Sequence, residues 1–189
     1  MKLERLNRLL EVPSVDPEDA RRRKLLNIIL VGMTILVLAA LAGISLADIM
    51  GYQEDVLTIY GPIIAGLVGF LLIYLINRYG SGWIASTFFL LLLTIILAFS
   101  DAPDQIVAGR SLFLFTIPIL ISSVILRPWA SFVSAGVCGA IIVYIDAFVL
   151  NNVPGVPTIL GFFTVAFVSW LSARSLESAL LDLRALNIG

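Results

Sequence analysis

Apolar residues run through this chain in long unbroken blocks, and the charges fall between them. Lys24 to Asp48 encloses 23 uncharged residues, Asp55 to Arg78 encloses 22, and Arg78 to Asp101 another 22. Arg110 to Arg127 encloses 16, Arg127 to Asp146 encloses 18, and Asp146 to Arg174 encloses 27. A helix needs about 20 mostly apolar residues to cross hydrocarbon, and the pattern predicts six spans, at about 25–49, 56–76, 82–100, 106–126, 131–150 and 157–173. Backbone polar groups in hydrocarbon must be satisfied internally, so these spans are expected to be helices. The period-2 alternation of a membrane barrel is absent. The expected fold class is all-α: an integral membrane bundle of six transmembrane helices. An amphipathic cytoplasmic lead-in (1–24) precedes it and a cytoplasmic connector helix (174–189) follows.

The flanks carry their own patterns. Leu3, Leu6, Leu9 and Leu10 follow a helical spacing opposite Lys2, Glu4, Arg5 and Arg8, as in a helix lying on a membrane surface. Pro13 breaks it. Asp16-Pro17-Glu18-Asp19 then reads as a helix start, with Asp16 as N-cap and Pro17 in the first turn. Arg21 to Lys24 mark the headgroup level and attract anionic lipid. Pro62 and Pro118 are candidate kinks. Ala65/Gly69, Ala135/Gly139 and Gly136/Ala140 have the four-residue spacing that lets helix backbones approach closely.

Composition agrees with a bilayer as solvent. The chain is 60% apolar and 13% charged, with a mean hydropathy of +1.04. Basic residues set the expected orientation. Eleven of the twelve Lys and Arg residues fall on one side of the six spans, with Arg110 the exception. The positive-inside rule then places both termini in the cytoplasm and the chain in the cell inner (plasma) membrane. Trp83, Trp129 and Trp170 sit at the inner ends of spans, as an aromatic belt requires. The start is not a signal peptide, because its basic region is long and no small-residue cleavage site follows.

Chemistry is narrowed by what is missing. There is no histidine, and Cys138 is the single cysteine. Imidazole and cysteine-cluster metal sites and Ser-His catalysis are thereby removed. No lysine lies inside a span, and no phosphate-cradling G-x-x-x-x-G-K-[ST] motif is present. Neither a cofactor nor nucleic acid is expected as a partner, and no catalytic residue is assigned.

Two features remain as candidate sites. Arg110 and Asp146 interrupt spans four and five, 18 residues before and after Pro128. At 1.5 Å per residue both lie about 27 Å from that turn, at one depth near the outer interface. An ion pair there offsets the cost of charge at membrane depth. It would either staple the two spans or line an outward-facing cavity with Tyr60, Tyr144, Asn151 and Asp48 as neighbours. The second feature is the tail. Leu176, Ala179, Leu183 and Leu186 follow a 3-4-3 spacing, the stripe of a coiled coil. It would form a parallel dimer stem, rest on the inner leaflet, or pack on the N-terminal segment.

The D-P-E-D-A-R-R-R-K-L-L-N-I lead-in, the six short-looped spans and the exit S-A-R-S-L-E-S-A-L-L-D-L-R-A-L-N together resemble a known type of protein. The chain is similar to the N-terminal membrane sensor regions of bacterial multidomain signalling proteins: sensor histidine kinases of two-component systems, diguanylate cyclases and membrane adenylyl cyclases. That resemblance implies a homodimer whose exit helix passes into a signalling coiled coil and a cytoplasmic output domain. The kinase or cyclase residues are not in this chain, so enzyme activity is not expected of it. The competing expectation is a small accessory or scaffold subunit of a larger membrane complex. A transporter would need more polar groups at mid-membrane depth.

Overall fold

The computed structural model describes residues 16–50, 56–153 and 155–186, and every regular element among them is helical. The elements are α1 (Pro17–Ile49), α2 (Val56–Tyr79), α3 (Gly82–Ala98), α4 (Pro103–Ala108), α5 (Thr116–Ile125), α6 (Ala130–Tyr144) and α7 (Val156–Leu186). A 3₁₀ segment (Arg110–Phe115) precedes α5, and a π turn (Ile145–Val149) continues α6. The amphipathic reading of residues 1–15 falls outside the described residues.

Three stretches are long and apolar enough to cross a membrane: Glu18–Ala47, Ala130–Val149 and Val156–Leu176. Shorter apolar helices cover Ile63–Tyr79, Gly82–Ala98 and Ser111–Ile125. The long stretches bury only 17%, 28% and 17% of their most apolar windows. Their remaining faces present residues such as Ile35, Leu36, Val133, Val137, Leu160 and Phe167 outward. A surface of that kind suits hydrocarbon and not water.

Local chemistry explains where helices start and break. Asp16 Oδ1 accepts the Glu18 N–H at 3.0 Å, the N-cap bond expected from the sequence. The fourth apolar block, expected as one span over 106–126, is broken. Gly109 is extended, and a Cβ there would lie 2.5 Å from the Gln105 carbonyl oxygen, so only glycine fits the step out of α4. Pro118 has no N–H for the Leu114 carbonyl, and its ring crowds that position. The backbone before it therefore takes the tighter 3₁₀ form, and regular helix starts only at Thr116. Pro118 sits in a first turn and kinks no helix interior. Backbone helix runs unbroken through Pro62.

The chain divides into two compact units, Met1–Leu92 and Leu93–Gly189. In the first, α1 packs along α2. Buried positions on α2 recur at 3- and 4-residue steps (Gly66, Phe70, Ile73, Asn77), against Leu26, Asn27 and Leu30 of α1. Phe70 meets Phe89 of α3 at 6.1 Å between ring centroids. Gly69 faces inward beneath the Leu92 side chain.

The second unit is a three-helix core of α5, α6 and α7. Phe115, Ile119 and Ser122, then Ala135, Cys138 and Ile142, then Phe162, Ala166 and Ser169 fill it, again at 3- and 4-residue steps. The small residues of α6 divide between two faces. Ala135 and Gly139 are buried, while Gly136 and Ala140 are exposed.

Candidate functional site along α7

Helix α7 is one continuous rod of 31 residues, from Val156 to Leu186. No Gly or Pro lies between Trp170 and Leu186 to interrupt it. At 1.5 Å per residue it is about 46 Å long, against about 30 Å of hydrocarbon. The structure holds it at three places.

The first is its start. Asp146 is 4% exposed and sits on the π turn, closed by the Leu150 N–H donating to the Ile145 carbonyl at 3.0 Å. Its carbonyl accepts the Asn152 N–H at 2.9 Å, and Oδ2 accepts the Gly155 N–H at 3.3 Å. Gly155 immediately precedes α7, and its carbonyl accepts the Thr158 N–H at 3.1 Å. The carboxylate thus ties the end of α6 to the start of α7. Asn151 reverses the chain between them with φ 54°, a conformation asparagine tolerates.

The second place lies further along. Ser123 Oγ of α5 donates to its own Leu120 carbonyl at 2.9 Å, so it accepts from Ser169 Oγ of α7 at 2.6 Å. Ser131 Oγ of α6 reaches the Ala166 carbonyl at 3.0 Å and its own Pro128 carbonyl at 2.9 Å. Ser131 has one proton for two carbonyls, so its contact with α7 competes with its contact inside α6.

The third place is the exit. Trp170 packs at 6.3 Å from Phe132 and 5.8 Å from Phe167, measured between ring centroids, and the Arg174 guanidinium lies 5.4 Å above its ring.

The residues singled out by sequence are distributed as follows. Arg110 begins the 3₁₀ segment, and its side chain lies outside the described residues, as does that of Asp48. The Arg110–Asp146 pairing therefore falls outside them too. The π turn bearing Asp146 packs on α4, two residues before Arg110. Tyr144 is exposed and stacks on Phe148 at 5.4 Å. The Tyr60 hydroxyl pairs with Ser45 at 2.9 Å in the first unit. Leu176 and Ala179 are exposed. Leu183 and Leu186 lie in the helical backbone, with side chains outside the described residues.

A further polar set was not foreseen. In the first unit Arg23 binds Asp19 at 2.6 Å and donates to the carbonyls of Asn77 at 3.0 Å and Gly80 at 2.7 Å. Asn77 Nδ2 donates to the Arg23 carbonyl at 3.1 Å and to Asn27 Oδ1 at 2.7 Å, with both amides buried. Gly82 leaves room for this set, because a Cβ there would sit 2.7 Å from Asp19 Oδ1. The available signal was the spacing Asp19, Arg23, Asn27, one face of a helix at four-residue steps. Among the described residues no cluster of three or more potential metal ligands occurs.

Comparison with protein families, with characterised proteins and with solved structures finds no match to this chain.

Proposed function

We propose that this chain is a six-span sensor and dimerisation module of the inner membrane, with both termini cytoplasmic, that transmits a signal through α7 to a cytoplasmic output domain or partner. The observation that carries the reading is the continuity of α7. One rod packs inside the second unit and runs well past the hydrocarbon thickness. A displacement at its start therefore reaches its far end.

Register adds a second support. Phe162, Val165, Ser169, Ser172, Leu176 and Ala179 form one 3-4-3-4-3 ladder, which continues in sequence to Leu183 and Leu186. Its upper part faces the bundle and its lower part is exposed. Rotating α7 to repack against α5 and α6 rotates the stem seam by the same angle. The competing carbonyl contacts of Ser131 suit two discrete packings. The stimulus acts within the bundle, through lipid, or at the outer turns bearing Asp146 and Arg110.

Cysteine cross-linking in native membranes tests this. Cys138 is buried beside the Phe115 carbonyl and is first replaced by Ala. Leu176→Cys and Ala179→Cys should then give symmetric homodimers, while Ser178→Cys, off the seam, should not. If no stem position cross-links in the membrane-embedded protein, the dimer stem is wrong. Co-purification with unrelated membrane chains would then favour the accessory-subunit reading.

A further inference from the structure

Two exposed stripes in the first unit share an arrangement. On α1, Arg21, Lys24, Ile28, Val31 and Ile35 follow a 3-4-3-4 spacing and all are exposed. On α2, Arg78, Leu75, Leu71, Val68 and Ile64 follow the same spacing in reverse, and all are exposed. Each stripe is cationic at one end and apolar beyond. Arg23 brings the cationic ends together, because its guanidinium on α1 holds the Asn77 and Gly80 carbonyls at the end of α2.

The charges at this end are unequal in availability. Arg23 is engaged with Asp19 and two carbonyls, and Arg22 pairs with Glu18 at 3.4 Å. Asp16 caps its own helix. Arg21, Lys24 and Arg78 are the exposed cations that face outward. Tyr74 accepts from Arg78 Nη1 at 2.9 Å and holds the guanidinium at the helix end. Tyr79 and Trp83 are 80% and 57% exposed beside it, as side chains at a headgroup level are.

We propose that this end of the α1–α2 pair is a docking site for anionic phospholipid, with Lys24, Arg21 and Arg78 on the headgroup and the two apolar stripes along the acyl chains. A cationic rim continuous with an apolar flank matches a ligand that is anionic at one end and hydrocarbon at the other. In this assignment Arg23 is the frame that sets the spacing of the cations and is not a lipid ligand. The proposal rests on the membrane placement of the first unit and is independent of the signalling reading of α7.

The test uses the purified full chain in nanodiscs of phosphatidylcholine alone or with phosphatidylglycerol. Phosphatidylglycerol should raise the thermal midpoint by roughly 6–12 °C, taking one basic contact's stabilisation for each of the three cations. Lys24→Gln with Arg78→Gln should abolish that increment, read as the difference between the two lipids for the same variant. Arg23→Gln should lower the midpoint in both lipids, and Arg127→Gln should keep the increment. Equal midpoints in the two lipids overturn the site and leave the membrane reading standing. So does an increment lost equally in Arg127→Gln, which marks general surface charge. An increment reproduced in phosphatidylcholine by inorganic phosphate overturns it as well.

Discussion

Arg23 shows how one side chain decides a local structure. Its planar donor fork matches two carbonyls left over at the end of α2 and one carboxylate of its own helix. Arg23→Gln keeps a donor but loses the fork and the charge, and should cost about 2 kcal/mol, as the loss of partly buried charged hydrogen bonds does. Arg22→Gln, which loses a pair with exposed Glu18, should cost well under about 1 kcal/mol. Thermal midpoints of the two variants in one lipid check the difference. The buried amides make a second case. Asn77 Oδ1 is buried without a partner among the described residues, while its Nδ2 protons are both used. Replacing Asn27 alone by Leu strands an Asn77 donor and should destabilise by about 1–3 kcal/mol, whereas Asn27→Leu with Asn77→Leu removes both and should cost less than the single change. A double change as damaging as the sum of the two single changes would show that the amides do not satisfy one another. Little of this was legible beyond the charges and the four-residue spacing of Asp19, Arg23 and Asn27. The basic run predicts a depth and a side, but the acceptors lie 54 and 57 residues away and are backbone carbonyls, which leave no mark on a sequence.

Helices are where sequence reading succeeds, because blocks of apolar residues and their punctuation are local. Asp16 and Pro17 start α1, and the absence of Gly and Pro after Gly161 keeps α7 whole from the bundle to Leu186. The fourth block failed for an equally local reason. Gly109 and Pro118 are both visible, but a hydropathy window averages over them, and only the Gln105 contact shows that Gly109 is obligatory. Gly109→Ala forces the added Cβ against a carbonyl and should destabilise by about 1–3 kcal/mol, although alanine favours helix everywhere else. A raised midpoint would mean that the break is dispensable. On α7, Ser169→Ala and Ser123→Ala should each cost little, with a coupling energy of about 0.6 kcal/mol in the double-mutant cycle. If these hydroxyls hold one of two packings, the same variants should also alter the yield of Leu176→Cys cross-linking without changing which positions cross-link. A purely structural contact would lower the midpoint and leave the cross-linking yield alone.

At the scale of the molecule, the proposed six crossings rest on three long apolar helices and three shorter ones, one of them broken. Length alone does not decide the short ones, because a helix of 17 residues such as Gly82–Ala98 reaches about 26 Å and spans only a thinned or tilted bilayer. The charges decide more. Arg78 and Arg127 flank one set of turns, whereas Asp101 and Asp104 flank another, and a chain with α3 lying along the surface would put Arg78 and Asp101 at one level. Accessibility separates these arrangements. In a Cys138→Ala background, Ser81→Cys, Ala102→Cys, Asn152→Cys and Ser178→Cys should be placed singly and challenged with a membrane-impermeant maleimide on intact cells. Six crossings with both termini inside require labelling at 102 and 152 and protection at 81 and 178 until the membrane is opened. Protection at 102 together with 81 would remove α3 as a span and reverse the remaining hairpins. The exit of α7 would then stand on the opposite side from Arg21 to Lys24, and no cytoplasmic output could be reached through Leu176 and Ala179. The topology measurement therefore bears on the signalling proposal directly, because transmission through α7 requires its stem and the basic lead-in to emerge on the same face.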